Sequence, residues 1–197
     1  MISKQILVPY RGRSHHLQQF IPHMKSYLPD ADIVVIEQEE GKPFNRGKLI
    51  NVGFLETIPD YFVAHDVDML PVDVDYSQNS GVTQLAGSNI QIKDYLGGVT
   101  MFDGETFRKV GGYHNDYFHR AEDNEVRFNL HRLKIPVLEL HRKFKTLPHT
   151  RRAPEFIAAL WQKAQEPRQV QDQLSICEYE VLSRERHKGY LHIKVSI

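Results

Sequence analysis

Cysteine is nearly absent from this chain: Cys177 stands alone among 197 residues, so no intrachain disulfide can form. That usage fits a reducing compartment. Neither sign of charge is in excess, with 25 Lys and Arg against 25 Asp and Glu. Composition therefore signals no nucleic-acid partner and no membrane-surface partner. Long apolar runs are missing too; none approaches the roughly 20 residues that span a bilayer. The segment Met1–Tyr10 goes directly into a strand-like run and carries no signal-peptide apolar region. A soluble, cytoplasmic protein with no membrane span is expected. Tryptophan occurs once, at Trp161, and the 11 histidines are scattered without regular metal-ligand spacing. What is present is ordinary globular material, 41% hydrophobic and 25% charged, enough for one well-filled core. The length suits a single domain.

The first half alternates strand-like and helix-like segments. Ile6-Leu-Val8 is a short apolar run. Ser14 stands where a cap would open a helix, followed by Leu17, Phe20, Ile21, Met24 and Leu28 at helical spacing. Pro22 inside that stripe predicts a kink or an early end. Ile33-Val-Val-Ile36 reads as a second strand, Asn45 to Glu56 as a helix, and Tyr61 to Ala64 as a third strand. This βαβαβ order predicts a parallel α/β sheet with helices on its faces, whose ligands sit beyond the carboxyl ends of the strands. Further on, Gly81 to Asn89 reads as a loop, Gly97 to Phe102 as a strand, and Asp103 as the cap of a short helix. Glu122 to Leu133 reads as a helix, Ile135 to Leu140 as a strand, and Pro154 to Ala164 as a helix with proline at its start. Cys177, Tyr179 and Val181 alternate on one face of a run that pairs, across a turn in Arg184–Gly189, with Leu191, Ile193, Val195 and Ile197. Trp161 and Cys177 fall at core positions.

Chemistry concentrates at Tyr61-Phe-Val-Ala-His-Asp-Val-Asp-Met-Leu-Pro71. An apolar strand there ends in Asp66 and Asp68, which period two would point to one side. Two carboxylates so placed repel each other and lose hydration. A hard divalent cation such as Mn²⁺ or Mg²⁺ relieves both costs, and a nucleotide diphosphate can complete its shell. The bare D-x-D pattern also occurs as surface or capping carboxylates. An aspartyl-phosphate phosphatase is a further alternative, but Leu70 and the third-strand position weigh against it. Arg11, Arg13 and Arg46 are the residue type that grips diphosphates, through charge-assisted forked bonds, and Phe44 could lie against a flat base. Gly98, in Tyr95-Leu-Gly-Gly98, lets backbone approach a ligand or simply starts a strand. Glu122-Asp-Asn-Glu125 opens a helix, where acids suit the dipole and where one could serve as a general base. His149 is a candidate metal ligand, although a lone histidine more often serves structure.

Taken in order, Pro9-Tyr-Arg-Gly-Arg13, Phe44-Asn-Arg-Gly-Lys-Leu-Ile-Asn-Val-Gly-Phe54, His65-Asp-Val-Asp-Met-Leu-Pro71, Tyr95-Leu-Gly-Gly-Val-Thr100, Phe107-Arg-Lys-Val-Gly-Gly-Tyr113 and Glu122-Asp-Asn-Glu125 resemble the β-1,4-galactosyltransferase family, glycosyltransferase family seven. The tail from Leu174 to Ile197 resembles that family's closing strands. The resemblance implies a GT-A fold: one domain with a Rossmann-like mixed sheet, its nucleotide-binding half in 1–75 and its acceptor-binding half in 76–197. It implies metal-dependent, inverting transfer of galactose from UDP-galactose to a glycan acceptor, with Mn²⁺, or Mg²⁺, as cofactor. Position by position, Pro9, Arg11, Arg13, Phe44, Arg46 and Asp66 match the donor side. Asp68 and His149 match metal ligands. Tyr95 and Gly98 match the sugar and acceptor pocket, where Tyr95 favours galactose over an N-acetylated sugar. Glu122 and Asp123 match the acceptor-binding carboxylates, with Asp123 as catalytic base. The chain departs from the pattern at Tyr117-Phe-His-Arg-Ala121, where the family has Trp-Gly-Trp-Gly-Gly, and at Thr146, where the family has a further metal ligand. Tyr117 or His119 is the aromatic left to stack on sugar. Transfer of another UDP-sugar, and a non-catalytic glycan- or nucleotide-binding module, are the rival readings.

Asp68→Ala is expected to weaken metal and donor binding, whereas Asp123→Asn should chiefly lower turnover. Steady-state kinetics separate the two, and full transferase activity in Asp123→Asn would remove Asp123 from the role of base.

Overall fold

The computed structural model describes residues 4–77, 80–86, 96–117, 121–140, 142–149 and 169–197. Its first elements are β1 (Lys4–Tyr10), α1 (Ser14–Tyr27), β2 (Asp32–Gln38), α2 (Arg46–Thr57) and β3 (Tyr61–His65). Both β2 and β3 pair parallel with β1, as the βαβαβ order predicts. Pro9 lies in β1, where a missing N–H would break a ladder. The pairing with β3 stops at Leu7, so the proline falls where one side of the strand is already open. There follow β4 (Met69–Asp73), β5 (Val82–Ala86), β6 (Val99–Asp103), α3 (Gly104–Lys109), α4 (Glu122–Arg132), β7 (Val137–Glu139), β8 (Lys143–Thr146), β9 (Glu180–His187) and β10 (Tyr190–Ser196).

Eight strands form one mixed sheet in the order β7-β5-β6-β3-β1-β2-β10-β9, and β4 pairs with β8 in a separate ribbon. Period two along β1 sends Leu7 to one face and Ile6 and Val8 to the other. Leu7, Val34 and Ile36 pack with Leu49, Ile50, Phe54, Phe107, Val126 and Leu130, so α2, α3 and α4 cover that face. Ile6, Val8, Ile33 and Val35 pack with Phe20, Ile21 and Met24 of α1 on the other face. Among the described residues, no helix is long and apolar enough to cross a membrane.

Several expectations change. Val82–Ala86, read as loop, is a strand buried throughout between β6 and β7. Pairing on both sides outweighs the flanking glycine and polar residues. Ser14 is the first helical residue rather than the cap; Arg13 takes the cap position and makes no side-chain cap bond. Pro22 neither ends nor shortens α1, which runs on to Tyr27. Pro22 and Gln18 are both exposed, so the carbonyl left without a donor faces water. The closing hairpin turns at Lys188-Gly189, but Cys177 and Tyr179 precede β9, and Val181 is exposed on that edge strand. The helix read at Pro154 to Ala164, with Trp161, lies outside the described residues, as do 87–89 of the loop reading.

Two local devices place the loops that follow. Asn45 caps α2, its side chain accepting from the Lys48 N–H at 2.9 Å. Gly47, the second residue of α2, lets that helix touch the second half of the chain. A Cβ there would sit 2.9 Å from Tyr113 Cβ and 3.2 Å from Glu122 Cβ. Alanine is the better helix former by about 1 kcal/mol, yet overpacking typically costs about 1–3 kcal/mol. Gly47→Ala is therefore expected to destabilise the protein by about 1–2 kcal/mol net, read as a lower urea midpoint. Unchanged stability would show that α2 has slack against Tyr113 and Glu122.

Candidate active site

The carboxyl ends of β1 and β3, the start of α2 and the start of α4 converge. Asp66 and Asp68 do not share a strand face. Strand β3 ends at His65, and the two acids lie in a turn closed by Met69 N–H donating to the Asp66 carbonyl at 3.2 Å. Period two stops with the strand, and the carboxylates diverge. His65 pins this turn. It is fully buried, and burial holds its pKa down at about 4, so the ring is neutral. Its Nδ1–H donates to the Asp66 carbonyl, and the Tyr76 hydroxyl donates to its Nε2, each at 3.0 Å.

Asp68 faces His149 and Arg13. Its side chain is 8% exposed; Oδ2 lies 2.7 Å from His149 Nδ1 and 3.6 Å from Arg13 Nη1. Burial raises the Asp68 pKa, Asp66 adds to the rise, and His149 and Arg13 oppose it. The segment that carries His149 is fixed by Leu147 N–H donating to the Asp68 carbonyl at 2.7 Å. His16, buried on α1, donates from Nε2 to the Pro148 carbonyl at 3.1 Å. An oxygen and a nitrogen donor thus meet at one point, a donor set that suits a cation of manganese type. Among the described residues, no cluster of three or more His, Cys, Asp or Glu could hold a metal. Thr146 is exposed and pairs with Met69 in the β4–β8 ribbon. Among the described residues, Asp68 and His149 are the pair placed to contribute to a metal shell.

Asp66 faces the other way, toward Arg46. The Arg46 guanidinium donates from Nε to Asp66 Oδ1 at 2.7 Å and from Nη1 to Asp123 Oδ1 at 2.8 Å. It also lies over the Tyr113 ring, 6.0 Å from the centroid. Asp123 and Glu122 open α4, whose cap position is Ala121 with no side-chain cap bond. Both acids are buried. Burial, then Asp123, pushes the Glu122 pKa up to about 8, against the pull of Arg46. Burial raises Asp123 as well, and Arg46 pulls it back. The Glu122 Oε2 atom is buried and has no hydrogen-bond partner among the described residues. The arrangement offers one carboxyl, Glu122, that keeps its proton to about pH 8, beside a second, Asp123, whose oxygen is held by the Arg46 guanidinium.

On the donor side, Arg11 packs over the Phe44 ring at 5.4 Å and bonds the Lys42 carbonyl. Pro9, buried at the end of β1, leads into that segment. Arg13 thus stands beside Asp68, Arg11 beside Phe44, and Arg46 joins Asp66 to Asp123. Gly98 has φ +82°, and a Cβ there would lie 2.7 Å from the Ala86 carbonyl oxygen, so glycine is needed for packing against β5. Tyr95 and His119 lie outside the described residues. Tyr117 is buried and stacks on His114 at 4.2 Å, which takes its ring out of reach of a sugar.

A buried amide network also lines the site. Asn51 Nδ2 donates to the Tyr113 carbonyl at 2.7 Å, and Tyr113 N–H returns a bond to Asn51 Oδ1 at 2.9 Å. Asn45 Nδ2 donates to the Asn115 carbonyl, and Asn115 Nδ2 donates to the Gln173 carbonyl at 2.7 Å. This network ties α2 to the segment before α4. The one advance signal was Asn51 itself, a residue ill-suited to a helix interior unless its side chain has a partner.

Two family models match: the N-terminal region of glycosyl transferase group 7 over residues 2–78, and the N-terminal domain of galactosyltransferase over 80–150. Human β-1,4-galactosyltransferase 4 is 35% identical over 214 residues, covering 96% of this chain and 62% of that protein. A Lymnaea stagnalis β-N-acetyl-D-glucosaminide β-1,4-N-acetylglucosaminyl-transferase is 35% identical over 73% of this chain and 32% of its own length. This chain thus spans about three-fifths of the human relative. The catalytic domain of Drosophila β1,4-galactosyltransferase 7 with xylobiose superposes with a TM-score of 0.86 at 22% identity, covering 100% of this chain and 94% of that one. A mutant of the same enzyme, in complex with manganese, UDP-Gal and xylobiose, gives a TM-score of 0.83 at 22% identity with the same coverage.

The raised Glu122 pKa makes a pH prediction. Between about 4.5 and 8 the folded chain keeps a proton that the unfolded chain releases. Stability from this group is full below the lower value and falls as pH rises through the window. Glu122→Gln should flatten that decline and raise stability at pH 8 by about 1–3 kcal/mol, measured by urea unfolding at pH 5 and pH 8. An equal slope in both proteins would mean that Glu122 titrates normally.

Proposed function

The chain belongs to glycosyltransferase group 7 and has the GT-A fold, and from that premise we propose that it transfers galactose from UDP-galactose to a sugar hydroxyl with inversion. The observation that carries this reading is the pairing of two carboxylate centres. Asp68 with His149 forms one, Glu122 with Asp123 forms the other, and Arg46 bonds Asp66 and Asp123 between them.

The roles follow from the chemistry of each centre. Asp68 and His149 would hold a divalent cation of manganese type, which when bound neutralises charge on the departing diphosphate. Arg13, beside Asp68, and Arg11, over Phe44, add positive charge on the donor side. Phe44 presents its ring to the uracil. Asp123, fixed by Arg46, accepts the acceptor hydroxyl proton as the new bond forms to the anomeric carbon and the bond to UDP breaks. Attack from the side opposite UDP inverts that carbon. Glu122, protonated near neutrality, donates a hydrogen bond to an acceptor oxygen from its unpartnered Oε2. A UDP-sugar donor and a glycan acceptor are thus the proposed partners, and Mn²⁺, with Mg²⁺ as substitute, the proposed cofactor.

A second reading, transfer of an N-acetylhexosamine, draws on the Lymnaea relative, whose name gives it an N-acetylglucosaminyl donor. UDP release assayed with UDP-galactose, UDP-N-acetylglucosamine and UDP-N-acetylgalactosamine, with Mn²⁺ or chelator, and with an acceptor panel, decides between them. Acceptor-stimulated, Mn²⁺-dependent release from UDP-galactose is expected, at least about tenfold faster than from either N-acetylated donor. Preference for an N-acetylated donor would move the reading to the second. No UDP release under any condition would make the chain a binding module.

A further inference from the structure

Arg46 falls where the family resemblance expects a donor contact, yet its two short bonds go to carboxylates 57 positions apart in the chain, at Asp66 and Asp123. Its side chain is 12% exposed, against 29% for Asp66 and 4% for Asp123. The planar guanidinium can serve two acceptors at fixed angles, which an ammonium cannot do. Gly47, the next residue, is what lets α2 close on Glu122 and Tyr113, and that approach brings Arg46 within reach of Asp123. The arrangement is built by backbone as well as by charge.

Among the described residues, the groups facing Asp123 come from four segments. Arg46 comes from α2, Asp66 from the turn after β3, Glu122 from α4 itself, and the Tyr113 hydroxyl from the segment after α3. Arg46 supplies the positive charge in that set. Burial and Asp66 push Asp123 toward its protonated form, and a protonated carboxyl cannot take a proton from an acceptor hydroxyl. We propose that Arg46 is a positioning residue, holding Asp123 as an oriented carboxylate and tying the base to Asp66 on the donor side. The inference rests on the reading of Asp123 as base. It gives the two halves of the site one shared side chain, anchored where Asp66 is the more accessible end.

The test compares wild type, Arg46→Lys and Arg46→Met, using the pH dependence of kcat with saturating UDP-galactose and Mn²⁺. The Asp123 carboxyl is titrated in parallel by ¹³C NMR, its signal assigned through Asp123→Asn. In Arg46→Met, the acidic limb of kcat and the Asp123 titration should both move up by about one pH unit or more. In Arg46→Lys, which keeps the charge but loses the fork, kcat on the plateau should fall about tenfold or more while KM for UDP-galactose changes less than about threefold. A folded Arg46→Met whose Asp123 titrates as in wild type overturns the inference. So does an Arg46→Lys enzyme with wild-type kcat and a raised KM, which would leave Arg46 a donor contact only. Should Arg46→Met fail to fold, the Lys variant decides alone. Absence of UDP release in wild type would count against the transferase reading, and the NMR titration would still decide what Arg46 does to Asp123.

Discussion

The site depends on one cation between two anions. A carboxylate buried as deeply as Asp123 is costly unless it is paired, and removing one partner of a buried pair typically costs about 3–5 kcal/mol. Arg46 meets that need, and much of the surrounding structure places Arg46. Asn45 caps the helix that carries it, Gly47 lets that helix close on Glu122, and the Tyr113 ring lies under the guanidinium. Asn51 holds Tyr113 through two backbone bonds. Gly112 leads into Tyr113 with φ +75°, and a Cβ there would lie 2.7 Å from Asn51 Oδ1. Each of these choices costs something locally, a helix glycine or a buried amide, and each is offset by what it positions.

The fold distributes this work by layer. The parallel strands β1, β2 and β3 bring the segments after Tyr10 and His65 to one edge. The antiparallel strands β5 and β6 extend the same sheet and hold Gly98, whose carbonyl accepts from the Asp66 N–H. Helix α4 delivers its first turn from the face packed by α2 and α3. The β4–β8 ribbon leads from Asp68 to the segment carrying His149, so these two side chains are brought together by an antiparallel pairing of distant segments apart from the main sheet.

What could be read ahead of the structure was what local chemistry decides. The apolar runs at Ile6 and Ile33 and the helical register after Asn45 follow from period and capping, and motif order placed the chain in its family. Contact across long separations was not legible. Nothing near Arg46 in sequence points to Asp123, and the forked bond exists because two distant segments fold together. The same holds for the divergence of Asp66 and Asp68. A strand rule extended one residue past the strand put them on one face, whereas His65 and Gly98 bend the backbone between them. Strand β5 was hidden because its pairing on both sides, not its composition, makes it a strand. Tyr117 looked like a sugar platform until His114 took its face.

A metal centre built on Asp68 and His149, as proposed, would have a consequence in thermodynamic linkage. The pair would supply one oxygen and one nitrogen, and a manganese-type ion takes about six donors. Solvent or a diphosphate would then complete the shell. A nucleotide that provides those oxygens raises the ion's affinity by the same factor that the ion raises the nucleotide's. Such a centre would be a poor store for free metal and a good sensor of the metal–nucleotide pair, with occupancy following the product of the two concentrations rather than either alone.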